Sequence, residues 1–141
     1  MSSLNLLSHE IIGAAMRVHT SLGPGLLESS YEACLAYELH KLNLATDRQI
    51  HLPLHYDSVT IDCGYRIDLM VEKSILIEVK AVETLTPIHE AQLLTYLKLS
   101  HLTLGLLINF HTLHLRRGIK RLVHHFKEPQ SFSTPENDFS F

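Results

Sequence analysis

The run Tyr65-Arg66-Ile67-Asp68-Leu69, followed by Ile75-Leu76-Ile77-Glu78-Val79-Lys80, constrains this chain more than any other part of it. Both segments have the apolar, β-branched character of strands, and Glu72-Lys73-Ser74 lies between them as a turn. Side chains alternate between the two faces of a strand. Leu76, Glu78 and Lys80 therefore share one face, and Ile75, Ile77 and Val79 take the other. Register decides where Asp68 points, because a slip of one residue turns every side chain over. A three-residue loop at 72–74 pairs Val71 with Ile75, and hence Asp68 with Glu78. Opposed Cβ atoms lie about 4.5–5.5 Å apart. Two carboxylates held that closely repel unless a cation lies between them. Oxygen ligands of this kind suit Mg²⁺ or Mn²⁺. The competing reading is a surface hairpin with a Glu–Lys ion pair and an unrelated aspartate, so the rest of the chain decides.

At 141 residues the chain has the length of one domain with a single core of mixed elements. No apolar run approaches the roughly 18 residues of a membrane span. Met1-Ser2-Ser3-Leu4-Asn5 lacks the positive start and apolar stretch of a secretory signal. The two cysteines, Cys34 and Cys63, are too few for a disulfide framework and read as reduced core residues. The cytoplasm is the expected compartment. A formal net charge of −3 argues against tight nonspecific binding of nucleic acid by the whole surface. The segment Arg116-Arg117-Gly118-Ile119-Lys120-Arg121 is the densest basic strip, either a solvated edge or a local contact. His111, His114, His124 and His125 match no strong zinc spacing and read as surface or structural residues.

Residues from about Ser8 to Thr20 read as a helix with Ser8 as N-cap and Ile11, Ala14, Ala15 and Val18 as its buried stripe. After Gly23-Pro24-Gly25 a second helix runs to about Leu42, its apolar face being Leu27, Tyr31, Cys34, Leu35, Leu39 and Leu42. A strand follows in which Ile50, Leu52, Leu54 and Tyr56 alternate, and Pro53 favours an edge position. The hairpin occupies about 60–82. Thr86-Pro87 marks the start of a third helix, to about Leu99, with threonine at N-cap and proline at N1. Leu102–Ile108 is continuously apolar, as in a strand covered on both faces. A short strand around Leu113–Leu115 and a segment through Ile119–Phe126 complete the domain, residues 1–127. From Glu128 to Phe141 the composition reads as a flexible tail. The expected fold class is α/β, a mixed sheet flanked by helices in the order α-α-β-β-β-α-β-β.

The block Gly25-Leu26-Leu27-Glu28-Ser29-Ser30-Tyr31 resembles the signature of the GxxExxY family, a branch of the PD-(D/E)XK nuclease superfamily close to RecB-like nucleases. The resemblance continues through Arg48-Gln49, Tyr65-Arg66-Ile67-Asp68, Glu78-Val79-Lys80-Ala81, Gln92-Leu93-Leu94-Thr95-Tyr96, Gly105–Phe110 and Gly118–Arg121, covering about residues 8–124. It implies a restriction-endonuclease-like fold and hydrolysis of phosphodiester bonds, with DNA as the expected substrate. It also implies Asp68 and Glu78 as metal-binding carboxylates, with the Val79 carbonyl as a further ligand and Lys80 beside the attacking water. Glu28 would be the acidic residue of the first core helix, holding a second ion or a metal-bound water. Gln92 and Tyr96, four apart on one helical face, would form the Q-x-x-x-Y element next to the site. Arg116, Arg117, Lys120 and Arg121 are the candidate nucleic-acid clamp. Relatives often place glycine after the Asn109-Phe110 pair, where His111 stands here. The alternative to an active nuclease is an inactive nuclease-fold module that binds nucleic acid or a partner protein. A second copy or a partner subunit is expected for so small a nuclease.

Overall fold

The computed structural model describes residues 3–125, so the expected domain limit at 127 and the tail from 128 lie outside the described residues. Three helices and five strands follow in the order α1 (Ser3–Leu22), α2 (Glu28–Lys41), β1 (Thr46–Tyr56), β2 (Val59–Val71), β3 (Ile75–Lys80), α3 (Pro87–Ser100), β4 (Leu104–Asn109) and β5 (Ile119–Val123). The sheet order is β1-β2-β3-β4-β5; β3 and β4 are parallel and the other neighbours antiparallel. Pro53 does sit on an edge strand, within the register shift between Leu52 and Leu54, where its missing N–H costs no ladder bond.

Two apolar clusters sandwich the sheet. One joins Ile11, Ala14, Ala15 and Val18 of α1 and Tyr31, Leu35 and Leu39 of α2 to Ile75, Ile77, Val79, Leu106 and Ile108. The other joins Leu93, Tyr96 and Leu97 of α3 to Leu52, Ile67, Leu76 and Leu107. Every residue of β4 is buried, as the continuous apolar run predicts. Gly105 lets α3 sit close, since a Cβ there would lie 3.1 Å from Leu93.

Several boundaries differ from the sequence reading. Helix α1 begins five residues earlier than Ser8, with Leu4 and Leu7 packed on its cluster, and Ser8 is buried inside it. Leu27 and Leu42 are exposed, and Cys63 is exposed rather than in the core. Residues 113–115 form no strand: Leu113 is exposed and Leu115–Gly118 is a 3-10 turn. There Gly118 is required, because a Cβ would lie 2.3 Å from the Asn109 carbonyl oxygen. Helix α3 starts with Thr86 at N-cap and Pro87 at N1 as expected, and the Thr86 N–H donates to Nδ1 of His89 at 3.0 Å.

The Gly25-x-x-Glu28-x-x-Tyr31 block has a mechanical explanation. Gly23 and Gly25 take left-handed backbone angles that favour glycine. The Tyr31 hydroxyl donates to the Gly23 carbonyl at 2.6 Å and accepts the Leu26 N–H at 3.1 Å. Its ring stacks on Phe110 at 4.6 Å. The loop before α2 is thereby tied to the end of β4.

Candidate active site

The site lies where the sheet forks. Strands β2 and β3 pair at Val71–Ile75, Met70–Leu76 and Leu69–Ile77, the register required by a three-residue loop. Beyond that point β2 continues with β1 as a two-stranded ribbon, while β3 continues with β4. A fork strands backbone N–H groups that must find partners. Side chains supply them here: the Asp68 N–H donates to Glu78 Oε2 at 3.0 Å, and the Val79 N–H donates to Asp68 Oδ2 at 2.9 Å. The two carboxylates are thus crossed over the fork, each bonded to backbone beside or at the other.

Burial sets their electrostatics. Glu78 is 4% exposed, and its carboxyl is pushed up to about 8, first by desolvation and then by the Asp68 charge. Asp68 is half-buried and also raised, again first by desolvation, with the Val79 N–H opposing. The Lys80 charge pulls both carboxyls down, and strand alternation puts its side chain on the same face as Glu78. The exit of β3 is held rigidly. Lys80 pairs with Asn109 in the parallel ladder, and the Phe110 N–H donates to the Lys80 carbonyl at 2.9 Å. The Asn109 amide clamps Val82 through both its groups, at 2.9 and 3.0 Å. Its Oδ1 also accepts the His111 N–H, so the turn forms without glycine at 111. Tyr96 is buried, and its phenol is pushed up by desolvation and then by the charges of Glu78, Tyr65 and Asp68. It therefore lies within electrostatic reach of the carboxylates.

This carboxylate pair, with a lysine two residues on, is the arrangement that the PD-(D/E)XK pattern describes. A family model of the PD-(D/E)XK nuclease superfamily matches residues 5–122, from α1 into β5. The chain belongs to this superfamily. Its five-stranded mixed sheet flanked by helices is the restriction-endonuclease-like fold of PD-(D/E)XK proteins. Comparison with curated proteins and with solved structures returns no match.

Within this PD-(D/E)XK domain the remaining sequence-derived positions divide. Glu28 is exposed at the start of α2, and its Oε2 accepts the Ala81 N–H at 3.2 Å, just past Lys80. Gln92 is exposed, one helical turn before buried Tyr96. The basic strip does not form one surface. Arg121 donates to Asn5 at 2.5 Å and Ser8 at 3.4 Å, and Arg116 lines a pocket with His9, Gly13 and Arg17, both against α1. Lys120 instead pairs with Glu90 of α3 at 3.0 Å, and with Arg117 it borders the 83–85 loop. Several histidines have structural partners: buried His19 bonds the Thr112 carbonyl at 2.8 Å. His89 caps α3, His51 meets Asp62 at 3.0 Å and His111 meets Glu83 at 3.6 Å.

Sequence reasoning missed Glu32. It is 7% exposed on α2, one turn beyond Glu28, and its charge reaches both Asp68 and Glu78. The available signal was the Arg48-Gln49 pair: Arg48 holds Glu32 Oε2 at 3.2 Å and Gln49 holds Oε1 at 2.7 Å.

Proposed function

We propose that this PD-(D/E)XK protein hydrolyses the phosphodiester bonds of nucleic acid, DNA foremost, with Mg²⁺ or Mn²⁺ as cofactor. The observation that carries the reading is the crossed bonding of Asp68 and Glu78 over the strand fork, with Lys80 two residues on. Among the described residues no three carboxylate, imidazole or thiol groups form a ready-made cage. Mg²⁺ asks for less, since it keeps waters and takes one or two carboxylates together with substrate phosphate oxygens. Asp68 and Glu78 with the Val79 carbonyl fit that requirement, and the raised Glu78 carboxyl is what a site built to be neutralised by a cation looks like. A divalent ion there supplies an acidified water and a polarised phosphoryl oxygen.

The chain's own groups do the rest. Lys80 orients the attacking water and offsets charge growing on the phosphoryl oxygens. Tyr96, at the edge of the carboxylates, fixes Lys80 or the phosphate through its hydroxyl, and Gln92 faces the substrate from one turn away. Glu28 holds the strand exit and is the residue for a second ion or its water. Arg117 and Lys120, beside the loop that follows Lys80, contact the backbone of the nucleic acid. Arg116 and Arg121, turned to α1, do not.

The test is incubation of the purified protein with linear, circular and single-stranded DNA in Mg²⁺, Mn²⁺ or EDTA. Cleavage that EDTA abolishes, and that Asp68→Ala abolishes with DNA binding retained, is the expected result. Binding without cleavage in either metal points to the inactive module instead. Cleavage that survives Asp68→Ala refutes the site.

A further inference from the structure

Gln49 occupies a backbone conformation that its neighbours in β1 do not share. Its φ is +51°, in the left-handed region that few non-glycine residues adopt without a reason. Consecutive side chains of a regular strand point to opposite faces. Arg48 and Gln49 nevertheless both grip the same buried carboxylate, Glu32, through its two oxygens at 3.2 and 2.7 Å. The turned backbone at Gln49 makes this possible. The same Nε2 lies 3.3 Å from Asp68 Oδ1. Its two N–H bonds therefore serve two carboxylates at once. Asp68 is then held from both ends, Oδ1 by Gln49 and Oδ2 by the Val79 N–H. The bridge is also neutral: a lysine or arginine in its place would compete with a divalent cation for the same oxygens.

We infer that Gln49 is a positioning residue, its amide transmitting the anchorage of Glu32 to Asp68 so that Asp68 meets the divalent cation in a fixed orientation. This rests on the nuclease reading of Asp68 and Glu78. Groups that orient a metal ligand from behind are typically worth about 10–100-fold in metal affinity.

The test is direct Mn²⁺ titration of the full chain, with thermal melting and DNA cleavage measured alongside. Gln49→Gly relaxes the left-handed backbone and removes the amide. Gln49→Asn keeps an amide tolerant of that backbone but is one methylene too short to span both carboxylates. Each weakens Mn²⁺ binding about 10–100-fold while the protein still melts cooperatively. Glu32→Gln weakens it as well, and combined with Gln49→Gly it adds nothing further, since both act through one linkage. A lowered melting temperature with unchanged Mn²⁺ affinity in the asparagine variant makes Gln49 merely structural and overturns the inference. If Asp68→Ala itself binds Mn²⁺ normally, the nuclease reading has failed first.

Discussion

Against α1 and α2 the sheet presents Ile75, Ile77, Val79, Leu104, Leu106 and Ile108, all apolar; against α3 the same two strands present Leu76, Glu78 and Leu107. The first face is the larger cluster, and every sheet residue in it is apolar. The second is smaller and is interrupted by Glu78, with Asp68 beside it and Tyr96 at the margin. Stability and chemistry are thus divided between the two sides of a single sheet. A buried carboxylate is affordable on one face because the other face holds the fold.

Two substitutions test that division most sharply. Leu106→Ala, fully buried under α1 and α2, should cost about 2–5 kcal/mol, read as a shifted denaturation midpoint, with activity per folded molecule unchanged. Lys80→Met should do the reverse. It should lower kcat about 10²–10³-fold, the loss that follows removal of one charge-stabilising donor, with little change in midpoint or in metal affinity. A large stability loss from Lys80→Met would mean that the α3 face also carries the fold.

Glu78 gives the division a pH signature. Its carboxyl is raised from the ordinary value of 4.5 to about 8. Between those limits the unfolded chain has released the proton that the folded chain retains, so stability falls as pH rises, at most by about 1.4 kcal/mol per pH unit. Asp68 is shifted in the same direction and adds to the trend. Saturating Mg²⁺ should flatten or invert the slope, because the ion holds both groups ionised in the folded state. Glu78→Gln should remove most of the slope, raise stability at neutral pH and abolish cleavage. Chemical denaturation at a series of pH values decides it; a Glu78→Gln protein with the parent slope would show that the burden lies elsewhere.

The hairpin was legible in the sequence because parity is a strict constraint: three loop residues and alternating aliphatic side chains leave one register that buries Leu69, Ile77 and Val71 together. The edge position of β1 was legible from Pro53, and the start of α3 from Thr86-Pro87. Glu32 was not. A glutamate following tyrosine on a helix ordinarily faces water, and its burial depends on Arg48 and Gln49 arriving from a strand sixteen and seventeen residues away. The left-handed backbone at Gln49 has no local signal either, since glutamine, unlike glycine or asparagine, does not announce it. The basic strip is dispersed for a related reason. The 3-10 turn at Leu115–Gly118 and the alternation of β5 send neighbouring cations to opposite faces of the sheet.

That dispersal yields the smallest effect and a direct probe of which face meets nucleic acid. The Lys120–Glu90 pair is solvent-exposed enough to be worth about 0–1 kcal/mol, so Arg117→Ala with Lys120→Ala should barely move the denaturation midpoint. If these two cations meet phosphates, the slope of log affinity against log salt should fall by about one for each contact removed. Arg121 is bonded to Asn5 and to buried Ser8, so Arg116→Ala with Arg121→Ala should lower the midpoint and leave the salt slope alone. Both pairs should be measured by anisotropy with a labelled DNA duplex, in an Asp68→Ala background that prevents cleavage. Removing either pair deletes two positive charges, so long-range attraction to DNA is matched and only local contact distinguishes them. Equal changes in slope would mean that the α3 face has no privileged contact with the phosphate backbone, and the substrate path would then have to be redrawn away from the Lys80 loop.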